Sequence, residues 1–205
     1  MGIQAKQSIL QHKQPSQYRR AAFLDLQGTL GGEGLDDVRH FSFYPCAADA
    51  VRLLNRSPFL AIVITNQSHI SKGLLTYGEY EQRMRDIRSS LARRGAYFDA
   101  VYCCPHDKDD GCKCKKPLPG MIDQAAQEFS ICVGQSYIIG DMGAADMLLA
   151  EACGAKGILV LTGVGQGSLG EFRHTWAGVE PAYVAPDVLG AVRWILRQET
   201  PHVGV

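Results

Sequence analysis

The sequence predicts an α/β fold built on a doubly wound, mostly parallel sheet, and two observations carry that prediction. Short apolar runs at 21–25, 59–65, 98–103, 137–139 and 158–161 alternate with stretches whose apolar residues recur at helical spacing, the pattern of repeated strand–helix–strand units. Three of these runs end in polar residues, at Asp25, Thr65-Asn66 and Gly140-Asp141. In an open α/β sheet ligands bind beyond the carboxyl ends of the strands, so these three ends are expected to converge on one edge.

Taken in order, residues 1–20 read as a polar arm of Gln and basic residues without helical or strand period. The first strand follows at 21–25. Residues 28–44, with Gly28, Gly31, Gly32 and Gly34 before Phe41, Phe43 and Tyr44, read as a turn and a hairpin-like excursion over the site. Pro45 opens a helix to about Asn55, with Ala48, Val51 and Leu54 on one face. The apolar run 59–65 fits a strand buried on both faces. Thr76 and Glu79 have capping-box spacing for a helix with Tyr80, Met84, Ile87 and Leu91 inward and Gly95 as its stop. A third strand at 98–103 precedes a helix begun by Pro119 with Ile122, Ala125, Ala126 and Phe129 on one face. The fourth strand leads into a helix over 145–153, ended by Gly154. The fifth leads into the Gly-rich stretch 162–170, and 171–181 show no clear period. Tyr183-Val184 make a short sixth strand, and Asp187 caps a last helix. This organisation reads as the arm and one domain over 21–200.

Composition narrows the partners. Lys+Arg and Asp+Glu are both 21, so the 205-residue chain carries no net charge and offers no electrostatic case for nucleic acid or an acidic membrane surface. No apolar run approaches a membrane span, and residues 1–20 lack the apolar segment of a signal peptide. A cytoplasmic, monomeric protein acting on a small molecule is therefore expected. The odd count of seven cysteines, four of them within 103–114, argues for metal ligation in a reducing compartment and against a disulfide framework.

Two clusters bear chemistry. Asp25, at the end of the first strand, suits a nucleophile or a metal ligand. With Asp141 it can share a hard cation such as Mg2+, which prefers oxygen ligands. Asp146, five residues after Asp141, either reaches that metal or stabilises a helix N-terminus. Thr65 offers a hydroxyl to a phosphate oxygen, and either Lys115 or Lys116 can neutralise a phosphate. The second cluster, Cys104, His106, Cys112 and Cys114, is a Cys-x-His and Cys-x-Cys set within eleven residues, suited to tetrahedral zinc. Cys103 faces the opposite side of its strand and is left out of that set. A zinc with four protein ligands has no open position, so the zinc loop over 103–116 is expected to aim Lys115 and Lys116 at the active edge without entering the chemistry.

The segments FLDLQGTLGG, VITNQSHISKG, CPHDKDDGCKCKKPLPGM and IIGDMGAADM, the last followed by ILVLTGVG, together resemble the haloacid dehalogenase (HAD) superfamily of phosphatases. Within it they resemble the small zinc-containing branch that includes heptose bisphosphate phosphatase and the histidinol-phosphatase domain. The resemblance covers roughly 23–165 and implies a Rossmann-like sheet of strand order 5-4-1-2-3 with no large cap domain. It implies Asp25 as the nucleophile that forms an aspartyl-phosphate, and Mg2+ held by the Asp25 carboxylate, the main-chain carbonyl of Gln27 and Asp141. Thr65 and Lys116 would bind phosphoryl oxygens. Asn66 and Lys115 would line the substrate side, Lys115 standing where the branch has Arg.

The chain departs from the family at position 27, where the relatives have a second Asp as general acid/base. The carboxamide of Gln27 can hydrogen-bond but cannot exchange a proton usefully near neutral pH. Metal and phosphate binding are expected to survive this change, whereas general acid–base help is ordinarily worth ~10²–10⁴-fold in rate. His69, where relatives carry a small residue, either supplies the missing proton or serves as an ordinary loop histidine. The first reading is thus a Mg2+-dependent phosphomonoesterase for a small phosphorylated metabolite, such as a sugar phosphate. The alternative is a catalytically weakened phosphate-ligand binder or regulatory protein.

Overall fold

The computed structural model describes residues 18–32 and 37–199. The arm expected over 1–20 lies outside them but for its last three residues, as do residues 33–36 of the excursion over 28–44. Six parallel strands form the sheet: β1 (Arg20–Leu24), β2 (Phe59–Asn66), β3 (Ala100–Cys104), β4 (Tyr137–Gly140), β5 (Lys156–Val160) and β6 (Tyr183–Ala185). They run in the order β3-β2-β1-β4-β5-β6. The expected order 5-4-1-2-3 describes the first five strands, and β6 extends the sheet beyond β5. The chain winds outward from β1 to β3 and then returns to place β4 on the other side of β1. That reversal is the topological switch point, where a crevice opens at the strands' carboxyl ends.

Two cores cover the two faces of the sheet. Along β1, Ala22 and Leu24 face one core while Ala21 and Phe23 face the other, as the two-residue strand period requires. The first core is closed by α1 (Ala47–Asn55), α2 (Tyr77–Ala92) and α6 (Val188–Glu199), the second by α3 (Gly120–Phe129) and α4 (Leu148–Cys153). The capping box forms: Thr76 Oγ1 accepts from the Glu79 N–H at 3.2 Å, and the Thr76 N–H donates to Glu79 Oε2 at 2.8 Å. Asp187 Oδ1 accepts from the Gly190 N–H at 2.8 Å at the start of α6. No large cap domain is inserted among the described residues.

Element boundaries differ where side chains add contacts that periodicity does not show. β1 begins at Arg20, taking a residue from the expected arm; Arg20 pairs with Glu199, and its guanidinium lies 4.6 Å from the centre of the Phe59 ring. β3 starts at Ala100, because Phe98 is buried beside the ladder and not within it. The helix expected over 145–153 is a π-helical turn (Gly143–Met147) leading into α4. Its start is held by distant residues: the Gly143 N–H donates to Ser168 Oγ at 3.0 Å, and a Cβ on Gly143 would fall 2.2 Å from the Trp176 indole. The Gly-rich stretch also holds a short helix, α5 (Gly165–Leu169), and the aperiodic stretch a 3-10 turn (Arg173–Trp176).

Trp176 is 1% exposed, and its indole N–H donates to the Ser168 carbonyl at 2.9 Å. It packs with Met147 and Leu159 beneath the turn that carries Asp146. Trp176→Ala is expected to lower unfolding stability by ~3–5 kcal/mol, read from urea unfolding monitored by circular dichroism.

Candidate active site and metal centres

The main chain carries Asp25 out of the sheet directly after β1, with its N–H still donating to the Ile139 carbonyl of β4 at 2.9 Å. Asp141 follows β4 in the same way. Asp25, Asp141 and Asp146 are all buried, with one oxygen from each inside a group no wider than 4.8 Å. Lys116 enters from the loop after β3, 5% exposed, and its ammonium donates to Asp25 Oδ1 at 2.6 Å and Asp146 Oδ1 at 2.7 Å. These groups line a cavity of about 300 Å³ together with Gln27, Thr65, Asn66, His69 and Lys115.

Each carboxylate is held from behind. Asp141 Oδ2 accepts from the Val164 N–H at 2.8 Å. Gly28, at φ +85°, passes so near that a Cβ there would lie 2.0 Å from Asp141 Oδ2, a second reason besides φ for glycine at this turn. Asp146 Oδ2 accepts from the Met142 N–H at 3.1 Å, a contact made by the π turn. Asn66, expected on the substrate side, lines the cavity but commits its carboxamide to the main chain of Lys116. Its Oδ1 accepts from the Lys116 N–H at 3.0 Å, and its Nδ2 donates to the Lys116 carbonyl at 3.2 Å. Asn66 at the end of β2 thus ties the loop after β3 to the sheet. Lys115 stands at the cavity and donates to the His106 carbonyl at 3.2 Å.

Gln67 was not singled out by its sequence signal, and it lies 3% exposed at the centre of the site. Its Nε2 donates to Gln27 Oε1 at 2.7 Å and to Thr65 Oγ1 at 3.0 Å. Its membership of the polar cluster Thr65-Asn66-Gln67-Ser68 at the end of the second strand is the available clue. Of the two roles open to Asp146, the structure sets its carboxylate inside the acidic group, against Lys116.

Three buried acids face one buried ammonium, and the carboxyls of Asp25 and Asp141 respond. Burial raises the Asp25 carboxyl from 3.8 to about 6, against the pull of Lys116 and with a push from Asp146. Burial, then the charges of Asp25 and Asp146, raise Asp141 to about 8. Burial pulls the Lys116 ammonium down, but Asp146 and Asp25 more than offset this, and its net shift is upward. An all-oxygen donor set with excess negative charge fits a hard divalent cation. Without such a cation, both carboxyls hold protons more tightly in the folded chain than in the unfolded one. Folding then takes up protons, and stability falls as pH rises between about 4 and about 8. The thermal midpoint of the metal-free chain is expected to fall across that window, and added Mg2+ to raise it more at the alkaline end, as measured by scanning calorimetry.

The second cluster assembles at the end of β3. Cys104 Sγ lies 3.7 Å from His106 Nδ1, 3.7 Å from Cys112 Sγ and 3.1 Å from Cys114 Sγ, with His106 Nδ1 and Cys114 Sγ 3.3 Å apart. Ideal tetrahedral zinc–ligand bonds imply S–S separations of ~3.8 Å and N–S of ~3.6 Å, so the donor set fits a four-coordinate zinc with modest spreading. Cys103 packs in the opposite core, as strand alternation predicts.

Comparison with known proteins follows from this geometry. The HAD-hydrolase-like family model matches residues 113–191. The D-glycero-beta-D-manno-heptose-1,7-bisphosphate 7-phosphatase of Yersinia pestis is 36% identical over 169 residues, covering 76% of this chain and 88% of its own. The enzyme of that name from Escherichia coli K12 is 35% identical over 154 residues, covering 70% and 80%. Among solved structures, D,D-heptose 1,7-bisphosphate phosphatase from B. bronchiseptica, complexed with magnesium and phosphate, superposes with a TM-score of 0.79 at 26% identity, covering 87% of this chain and 99% of that one. With its acidic strand ends at a switch-point crevice and these relatives, the chain belongs to the HAD superfamily of phosphatases, which are phosphoric monoester hydrolases.

Proposed function

We propose that this chain removes a phosphate from a small phosphorylated sugar, with Mg2+ as cofactor and an aspartyl-phosphate on Asp25 as intermediate. The observation that carries this reading is the Asp25 carboxylate at the switch point, 2.6 Å from the Lys116 ammonium. One Asp25 oxygen attacks phosphorus, the ester P–O bond breaks, and the alcohol leaves. Lys116 offsets the charge of nucleophile and phosphoryl group, and the Thr65 hydroxyl binds a phosphoryl oxygen. Asp25 and Asp141, with the main-chain carbonyl of Gln27, would hold Mg2+, which supplies charge neutralisation at the phosphoryl oxygens. Lys115 faces the remainder of the substrate, and Asn66 holds Lys116 in place. The names of the relatives point to a heptose bisphosphate as the first substrate to test. A cysteine–histidine cluster with metal-ligand spacing suits a reducing compartment and supports a cytoplasmic setting.

Gln27 favours a second reading, a phosphate-ligand binder with little turnover. Its carboxamide is held by Gln67 and has no proton to give. Phosphate release from a panel of sugar and nucleotide phosphates separates the two. Under the first reading Asp25→Asn abolishes turnover, and Gln27→Asp raises kcat by up to ~10²–10⁴-fold. Under the second, the parent chain releases no phosphate yet binds inorganic phosphate.

The Cys104–His106–Cys112–Cys114 set is assigned to zinc in this reading, with a structural role. Elemental analysis is expected to give one zinc per chain. Chelation is expected to increase hydrogen exchange through the zinc loop and to weaken phosphate binding, because Lys116 is carried by that loop. Unchanged exchange after verified zinc loss counts against the assignment.

A further inference from the structure

The site as built has a nucleophile, a cation for the phosphoryl group and no acid at position 27. A second titratable side chain faces the same cavity from its outer wall. His69 lines it, 30% exposed at its side chain, on the loop after β2. Its main chain is fixed, since its carbonyl accepts from the Leu74 and Leu75 N–H groups at 2.9 and 3.1 Å.

The imidazole has an acidic neighbour within ion-pair range. His69 Nδ1 lies 4.0 Å from Asp37 Oδ2. Asp37 is itself held in place: its Oδ1 accepts from the Arg39 N–H at 2.8 Å and its Oδ2 from Arg39 Nε at 3.0 Å. Arg39 in turn donates to the Leu74 carbonyl at 3.1 Å, tying the Asp37 segment to the His69 loop, and Glu79 lies 4.0 Å from the guanidinium. The hydrogen bond from Arg39 holds the Asp37 carboxyl below the usual carboxylate range, so it stays ionised opposite His69. Lys115, Lys116 and the acidic group line the same cavity. With Nδ1 on the Asp37 side, Nε2 is the ring nitrogen left for a partner in the cavity that His69 lines. A titratable ring at the cavity with a carboxylate on its other side is a candidate acid/base.

We propose that His69, positioned by Asp37, performs the proton transfers for which residue 27 has no group. This rests on the phosphatase reading above. As an Asp25 oxygen bonds to phosphorus and the ester P–O bond breaks, the leaving oxygen takes the bond pair and receives the proton from His69 Nε2. In the second step neutral Nε2 accepts a proton from water as the water oxygen bonds to phosphorus. The Asp25–phosphorus bond then breaks, returning the Asp25 carboxylate, inorganic phosphate and the imidazolium. Gln27, anchored by Gln67, keeps a contact surface in the cavity without a proton to give.

The test uses the Mg2+-loaded full chain and its best substrate from the phosphate panel, with inorganic phosphate binding as the check on the assembled site. His69→Gln is expected to lower kcat by ~10²–10⁴-fold while KM and phosphate affinity change little. It is also expected to remove a limb of the kcat/KM pH profile, and free imidazole should restore part of the activity of His69→Ala. Asp37→Asn is expected to lower kcat with KM retained, as for a positioning residue. Retained kcat and an unchanged pH profile in His69→Gln overturn the proposal and leave the phosphatase reading intact. Turnover by Gln27→Asp but not by the parent chain also overturns it, since His69 then fails to replace the acid. If neither releases phosphate and Asp25 takes up no phosphoryl group by mass spectrometry, the phosphatase reading falls and this proposal with it.

Discussion

The buried contact of Lys116 with Asp25 and Asp146 is the constraint on which the site depends. An ammonium 5% exposed is tolerable only with charged partners in reach, and here it has two, at 2.6 and 2.7 Å. Those partners come from the end of β1 and the turn after β4, while Lys116 comes from the loop after β3. Three segments distant in sequence are therefore fixed to one point by electrostatics, and any displacement of one leaves a buried charge unpaired. The surplus of acid over base at that point makes it receptive to a cation.

Much of the rest of the molecule serves to hold this point. Asn66 ties the main chain of Lys116 to the end of β2, and the Cys104–His106–Cys112–Cys114 group gathers the same loop a few residues earlier. On the other side, the π turn aims Asp146 inward, and the turn is enforced by Ser168 and by the indole of Trp176. The loop after β3 and the π turn thus meet above the switch point. This is how an open sheet with no large cap domain obtains a site in which three carboxylates are nearly dry. The dryness has a direct electrical consequence, the upward shifts of Asp25 and Asp141.

Legibility in the sequence followed the range of the interactions. The strand ends bearing Asp25, Thr65 and Asp141 were visible because a polar residue ending an apolar run is a local signal. The cysteine–histidine spacing was visible for the same reason. Gln67 escaped notice, because its importance lies in hydrogen bonds to Gln27 and Thr65 that only the folded chain creates. Asn66 was legible as polar and near the site, but its commitment to the Lys116 main chain joins residues fifty positions apart in sequence. The pairing of His69 with Asp37 depends in the same way on loops from different parts of the chain.

The sequence by itself determined the class of fold, the strands that end in Asp25, Thr65 and Asp141, the donor types of the two side-chain clusters and the presence of a carboxamide at position 27. These are written in local periodicity and residue chemistry, which do not depend on where distant segments land. Only the tertiary structure decided that β6 extends the sheet, that Asp146 turns inward on a π turn, and that one ammonium bridges two carboxylates. It alone also brought His69 and Gln27 to one cavity, with Asp37 4.0 Å from the His69 ring. The reason is physical: side-chain distances of about three ångströms across the site are set by the packing of whole elements, and sequence separation carries no record of them.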